Sequence, residues 1–301
     1  VVSDVVSGAY AYCQQLARAH YENFPVASRL LPAAMRPHLA AIYAFARRAD
    51  DFADEPGLQA DERLRLLDDW LTRLNSARAP ASQTAVDATG DDLIFVALRE
   101  TMRVHRLPAS LFEDLLSAFR QDVTTRRYKS WTDVLDYCRR SANPVGRLVL
   151  RVAGHDDPSL DARSDAVCTA LQLTNFWQDL ARDWANGRLY VPLEDRDCAG
   201  ACDEDLDAGR ITPAWRHALA ELVRRTRALY AAGRPVCDAV RGRLRWELRF
   251  TWLGGQRILD KLERVGFDVF HQRPTLSLWD VPALGLHALS WRAGLMTRTD
   301  D

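Results

Sequence analysis

The chain has 301 residues, 48% apolar and 27% charged, with a formal net charge of −1 and a pI near 6.7. This is the make-up of an ordinary globular protein, without the basic excess on which nucleic-acid binding depends. Six scattered cysteines and seven unclustered histidines argue against a disulfide framework or a structural metal centre. No apolar run approaches the roughly 18 residues of a membrane span, and the first residues lack the basic start and apolar core of a secretory signal. A cytoplasmic protein is therefore expected.

Helical periodicity runs almost throughout. Helices are predicted over 4–22, 34–55, 60–76, 90–105, 109–122, 131–153, 160–186, 213–232 and 240–265. Pro56-Gly57 closes the second of these and Gly187 the seventh, as helix-ending residues do. Ser130 with Asp133 reads as an acidic capping box. Thr212-Pro213 reads as an N-cap followed by proline at the first helical position. Loops are expected at 77–89, 154–159 and 193–211, and only 188–192 (RLYVP) alternates like a strand. Nothing between these elements has the length or bias of a linker. The expected fold is therefore all-α, one domain over residues 1–301, a helical bundle around a central cavity.

Four aspartates stand out. Asp50 and Asp54 lie in YAFARRADDFADE, and Asp179 and Asp183 lie in LQLTNFWQDLARD. Each pair is spaced i,i+4, so on a helix both carboxylates face one side and repel each other. Tyr43, Arg47, Asp50 and Asp54 fall on one helical stripe, and Gln172, Asn175, Asp179 and Asp183 on another. A globular helix normally puts apolar residues at such spacings. Two polar seams on helices otherwise rich in Ala, Phe, Leu and Trp therefore suggest a lined cavity. Mg²⁺ is the expected counter-ion, because it binds through one or two carboxylates together with substrate phosphates. The plain alternative is that the aspartates pair with Arg47, Arg48 and Arg182.

The chemistry that follows is ionisation of a diphosphate whose charge metal ions neutralise. Arg47 is placed to reach phosphate oxygens. The carbocation left behind needs a dry cavity and aromatic faces. Tyr43, Tyr137 and Tyr190 are candidates, whereas Phe45, Phe176 and Trp177 read as core.

The two aspartate segments resemble the signatures of the squalene and phytoene synthase family, as does Tyr137-Cys138 followed by Pro144-Val145-Gly146. The resemblance runs from about residue 10 to 275. It implies the all-helical isoprenoid-synthase fold and Mg²⁺-dependent chemistry on prenyl diphosphates. By motif match it gives metal and diphosphate binding to Asp50, Asp54, Asp179 and Asp183. It gives substrate contacts to Tyr43, Arg47, Tyr137, Gln172 and Asn175.

Within the family, HYENFPVAS (20–28), Gln178 before Asp179, and SANPVGRLVLRVAG (141–154) resemble the bacterial hydroxysqualene-forming branch of hopanoid pathways. That branch ionises presqualene diphosphate, rearranges the cation and quenches it with water, without NADPH. Asn143, Ser141 and Gln178 are then candidates to hold the water, the alternative being that Asn143-Pro144 merely kinks its helix. The competing functions are condensation of two farnesyl diphosphates and a non-catalytic assembly role, and the retained aspartates argue against the second. Greasy substrates make transient contact with the inner membrane surface an expectation, although no basic amphipathic helix stands out. Arg126-Arg127 reads as a substrate contact or a solvated pair. The Arg-Pro of GFDVFHQRPTL (266–276) reads as the end of the last long helix.

Overall fold

The computed structural model describes residues 2–19, 30–55, 57–77 and 90–291. Among these it contains fourteen helices and no strand. They are α1 (Val2–Ala19), α2 (Arg36–Asp54), α3 (Ala60–Ala77), α4 (Asp91–His105), α5 (Ala109–Thr124), α6 (Trp131–Ser141), α7 (Asn143–Val152), α8 (Pro158–Ala185), α9 (Leu193–Ala199), α10 (Asp203–Asp207), α11 (Pro213–Gly233), α12 (Val236–Ala239), α13 (Gly242–Arg264) and α14 (Asp280–Leu289). The expected all-α class is what forms. By internal contacts the chain divides into two compact units, Val1–Thr125 with Pro144–Asp157, and Arg126–Asn143 with Pro158–Asp301.

In the first unit α2 is the central element, packed against α1, α3, α4 and α5. Proline in its first turn starts it without losing an intrahelical hydrogen bond. Leu39, Ile42, Phe45, Phe52 and a run of alanines form its buried face. Phe45 is fully buried. It stacks on Trp70 of α3, whose indole donates to the Phe45 carbonyl at 3.3 Å, and meets Phe95 and Phe112 edge-on. Phe45 is thus core, as its sequence context suggests. At the other end of α2, His38 Nδ1 lies 3.1 Å from the hydroxyls of Tyr10 and Thr101, and its ring meets His105 at 4.3 Å.

In the second unit the 28-residue α8 packs against α6, α11, α12 and α13. Buried polar side chains fix its rotation. Trp177 Nε1 donates to Thr226 Oγ1 at 3.0 Å, and the Thr174 and Tyr230 hydroxyls lie 3.1 Å apart. Gly255 of α13 makes the close approach possible, since a Cβ there would stand 1.9 Å from the Tyr230 hydroxyl. Gly187, at φ +73°, lets the chain leave α8 while Arg188 N–H satisfies the Asp183 carbonyl at 2.8 Å. The capping box of α6 forms, with Ser130 and Asp133 exchanging side-chain and backbone bonds.

Several expectations need correction. The predicted helix 131–153 is two helices, α6 and α7, that meet at Ala142, where φ opens to −113° within the right-handed region, beside the Asn143-Pro144 expected to kink it. Thr212 stands at the N-cap of α11 but its hydroxyl donates to Asp205 at 2.9 Å and not to the helix. The predicted loop 193–211 holds α9 and α10, and α12 and α14 are further additions. Helix α13 ends at Arg264, so Arg273-Pro274 does not terminate it. In the strand-like stretch only Leu189 pairs, as an isolated parallel bridge to Arg127. Cys13, Cys138 and Cys237 are free and buried, whereas Cys198 and Cys202 are free and exposed. No helix among the described residues is long and apolar enough to cross a membrane.

Candidate active site

The buried face of α2 turns its polar stripe the other way. Tyr43 is half-buried, and burial pushes its hydroxyl pKa up, an effect that Arg47 opposes and Asp50 and Asp51 reinforce. Arg47 pairs with Asp51 at 2.8 Å and reaches Asp50 at 3.5 Å. Asp54 is the exposed last residue of α2. Arg48 pairs with Asp91 at 3.1 Å and lies over the Phe52 ring, off the stripe. A cavity of about 450 Å³ opens here, lined by Tyr12, Leu16, Arg47, Arg48, Asp51 and Asp91 among others. The arginine pairing offered as the plain alternative therefore does occur, but chiefly through Asp51, leaving Asp50 with the longer contact.

The second stripe is more highly organised. On α8, Asn175 Nδ2 donates to Asp179 Oδ2 at 2.8 Å. Arg273 clamps the same carboxylate, Nε to Oδ1 at 2.5 Å and Nη2 to Oδ2 at 3.1 Å. That bond holds the Arg273 guanidinium pKa above its ordinary value. Arg182 is more distant, at 3.8 Å. Next along the helix, Gln178 Nε2 donates to the Pro274 carbonyl at 2.5 Å through one of its two N–H groups. Gln172 and Asp183 are half-buried on the same stripe.

Beside this row stands an aromatic group. Phe176 and Tyr190 stack face to face, with centroids 3.8 Å apart and an interplanar angle of 2°. Tyr137 packs on both at about 6 Å, and Tyr128 on Tyr137 and Tyr190. All four rings are buried. Phe176 is thus buried as expected of a core residue, but it joins the tyrosine cluster. Trp177 is core, tied to Thr226. Asn143 is buried, and its Oδ1 accepts from Thr169 Oγ1 at 2.9 Å. The Ser141 hydroxyl is buried with no hydrogen-bond partner among the described residues. Arg127 pairs with Asp203 at 3.2 Å and covers the Trp184 ring, a structural role. The segment 20–28 lies outside the described residues.

Arg273 is the residue that sequence reasoning missed. Its signal is the GFDVFHQRPTL segment, whose Arg-Pro reads in the sequence as a helix end.

The donors suit Mg²⁺. Among the described residues no three His, Cys, Asp or Glu side chains converge on a metal site. Each stripe instead offers carboxylates one turn apart. A cage-forming ion such as zinc would be left short of ligands, whereas Mg²⁺ keeps waters and completes its shell with substrate phosphate.

Comparison with known proteins decides the family. The squalene/phytoene synthase model matches residues 17–280. The chain belongs to the squalene/phytoene synthase family. A hydroxysqualene synthase of Rhodopseudomonas palustris is 37% identical over 244 residues, covering 80% of either chain. The crystal structure of squalene synthase HpnC from Alicyclobacillus acidocaldarius is 40% identical with a TM-score of 0.78, covering 87% of this chain and 95% of that one. A dehydrosqualene synthase solved with a ligand has a TM-score of 0.80 over 96% of this chain and 98% of its own. At 22% identity it is similar in fold alone. Squalene/phytoene synthases process prenyl diphosphates, and this member is such an enzyme, with the all-α fold of its relatives.

Proposed function

We propose that the enzyme converts presqualene diphosphate and water to hydroxysqualene and diphosphate. The observation that carries the reading is the adjacency on α8 of a carboxylate row, Asp179 with Asn175, and a stacked aromatic group, Phe176 on Tyr190. One part suits diphosphate held through Mg²⁺, and the other suits the cation that diphosphate leaves behind. Aromatic faces attract positive charge, most strongly where water is excluded. The similarity to hydroxysqualene synthases favours this branch.

Asp50, Asp54, Asp179 and Asp183 would hold Mg²⁺, which when bound neutralises the leaving diphosphate. Arg47 binds phosphate oxygens, and Gln172 and Asn175 orient the carboxylate row. Tyr43, Tyr137 and Tyr190 line the path of the cation. The carbon–oxygen bond breaks with its electron pair going to diphosphate. After rearrangement a water oxygen bonds to carbon and releases a proton, giving the alcohol without any reductant. Asn143 and Gln178 position that water. Two residues before Asn143, the buried Ser141 hydroxyl finds no hydrogen-bond partner among the described residues, and such groups in native proteins usually have a partner such as ordered water.

The test is incubation with presqualene diphosphate and Mg²⁺, followed by mass analysis of the organic extract. A hydroxylated C30 product is expected. Turnover of farnesyl diphosphate alone, with presqualene diphosphate left untouched, would favour the condensation reaction instead.

A further inference from the structure

The last described stretch departs from the rest of the surface. From Thr275 to Trp291 the sequence is TLSLWDVPALGLHALSW, with only Asp280 and His287 ionisable. Leu278 and Trp279 are 88% and 92% exposed, and Leu276, Val281, Leu286 and Leu289 are exposed as well. Asp280 is turned inward, where Lys261 Nζ at 2.6 Å, Arg257 Nε at 2.9 Å and Ser277 N–H at 2.7 Å all bind its carboxylate. These contacts, the lysine first, hold its pKa well below the usual carboxylate range. The only carboxylate of the segment is thereby removed from the surface. Isolated exposed leucines need no explanation, but a contiguous patch of this kind marks a binding surface.

We infer that α14 and the preceding turn dock on a lipid bilayer bearing anionic headgroups. The charge behind the patch selects this occupant. Behind the patch Arg257 and Lys261 share the single carboxylate of Asp280, Arg249 pairs with Asp238, and Arg234 lies over the Trp291 ring, so cations outnumber carboxylates among the described residues that hold the segment. A surface with leucines outward, a tryptophan at its edge and surplus cations behind suits the interfacial zone, where aromatic rings and basic residues settle. At ten residues α14 is too short to span, so it lies in the plane of the interface. The docked segment is continuous with the candidate site. Leu276 packs over Gly254, while Arg273 and Pro274 hold Asp179 and Gln178. Docking itself does not depend on the proposed reaction.

The full chain should float with vesicles of phosphatidylcholine plus phosphatidylglycerol, and less with phosphatidylcholine alone. Added salt should weaken binding without abolishing it. The double variant L278S/W279S should lose on the order of tenfold in partitioning while keeping its melting temperature. Should that variant melt early, Leu289→Ser repeats the test at the far end of α14, and quenching of wild-type tryptophan fluorescence by brominated lipid reads insertion directly. Failure of the wild type to bind either vesicle, or undiminished binding by the variants, would overturn the inference. So would a wild-type dimer that binds no lipid and dissociates on L278S/W279S. Vesicle binding without turnover would count against the reaction and leave this surface standing.

Discussion

Asp179 accepts from Asn175 and, through both oxygens, from Arg273, so a metal ion held as proposed would compete with a guanidinium already in place. Asp179→Ala should lower kcat by on the order of 10² to 10³, the usual loss when one preorganised electrostatic partner is removed. Its fold should persist, because the side chain lies on the polar stripe and not in the core. Asp50→Asn should behave alike. The double variant should lose far less than the product of the two single effects if both serve one diphosphate, which steady-state kinetics on all three would show. Asn143 offers a different readout. With Thr169 donating to its amide oxygen, Asn143→Ala should shift the product from alcohol towards elimination hydrocarbons. An unchanged yield of alcohol would end the water-positioning role.

At the level of elements, the position of α8 depends on Gly255. A methyl group there would collide with Tyr230, whose hydroxyl meets Thr174 in the helix that carries the second aspartate pair. Gly255→Ala should cost about 1–3 kcal/mol, as overpacking a close contact does, and calorimetry would show the lower melting temperature. The long helices, the α6 capping box and both aspartate stripes were legible because each is a periodic or local signal. The short helices α9, α10, α12 and α14 carry too few turns to establish a period. The break at Ala142 was half legible: Asn143-Pro144 reads as a kink, but residues on either side continue the helical pattern and hide that one helix ends and another begins. Arg273 was illegible for another reason: its partner Asp179 lies 94 positions earlier in the chain, and no periodicity reports a contact of that range.

For the molecule as a whole, acid is the condition that exposes its weak point. Burial, chiefly, lowers the pKa of both His38 and His105, with each ring's proximity to the other adding to the effect on His38. Tyr10, Thr101, Glu100 and Arg103 surround the pair, and His105 Nε2 is buried without a hydrogen-bond partner among the described residues. The unfolded chain thus takes up protons near the ordinary value of 6.5, while the folded one still resists them. Stability should fall as pH drops below that value and level off once the folded pKa values are passed. Denaturant midpoints at neutral and mildly acidic pH would measure this, and His105→Asn should flatten the slope. The buried thiols add a built-in clock. Burial raises the pKa of Cys13 to about 12, of Cys237 to about 12, and that of Cys138 higher still, so none should react with an alkylating reagent until its surroundings open. Cys13 belongs to one compact unit and the other two to its counterpart. Pulsed alkylation with peptide mass mapping would therefore time the opening of each half separately, using chromophore-free reporters that the chain already carries.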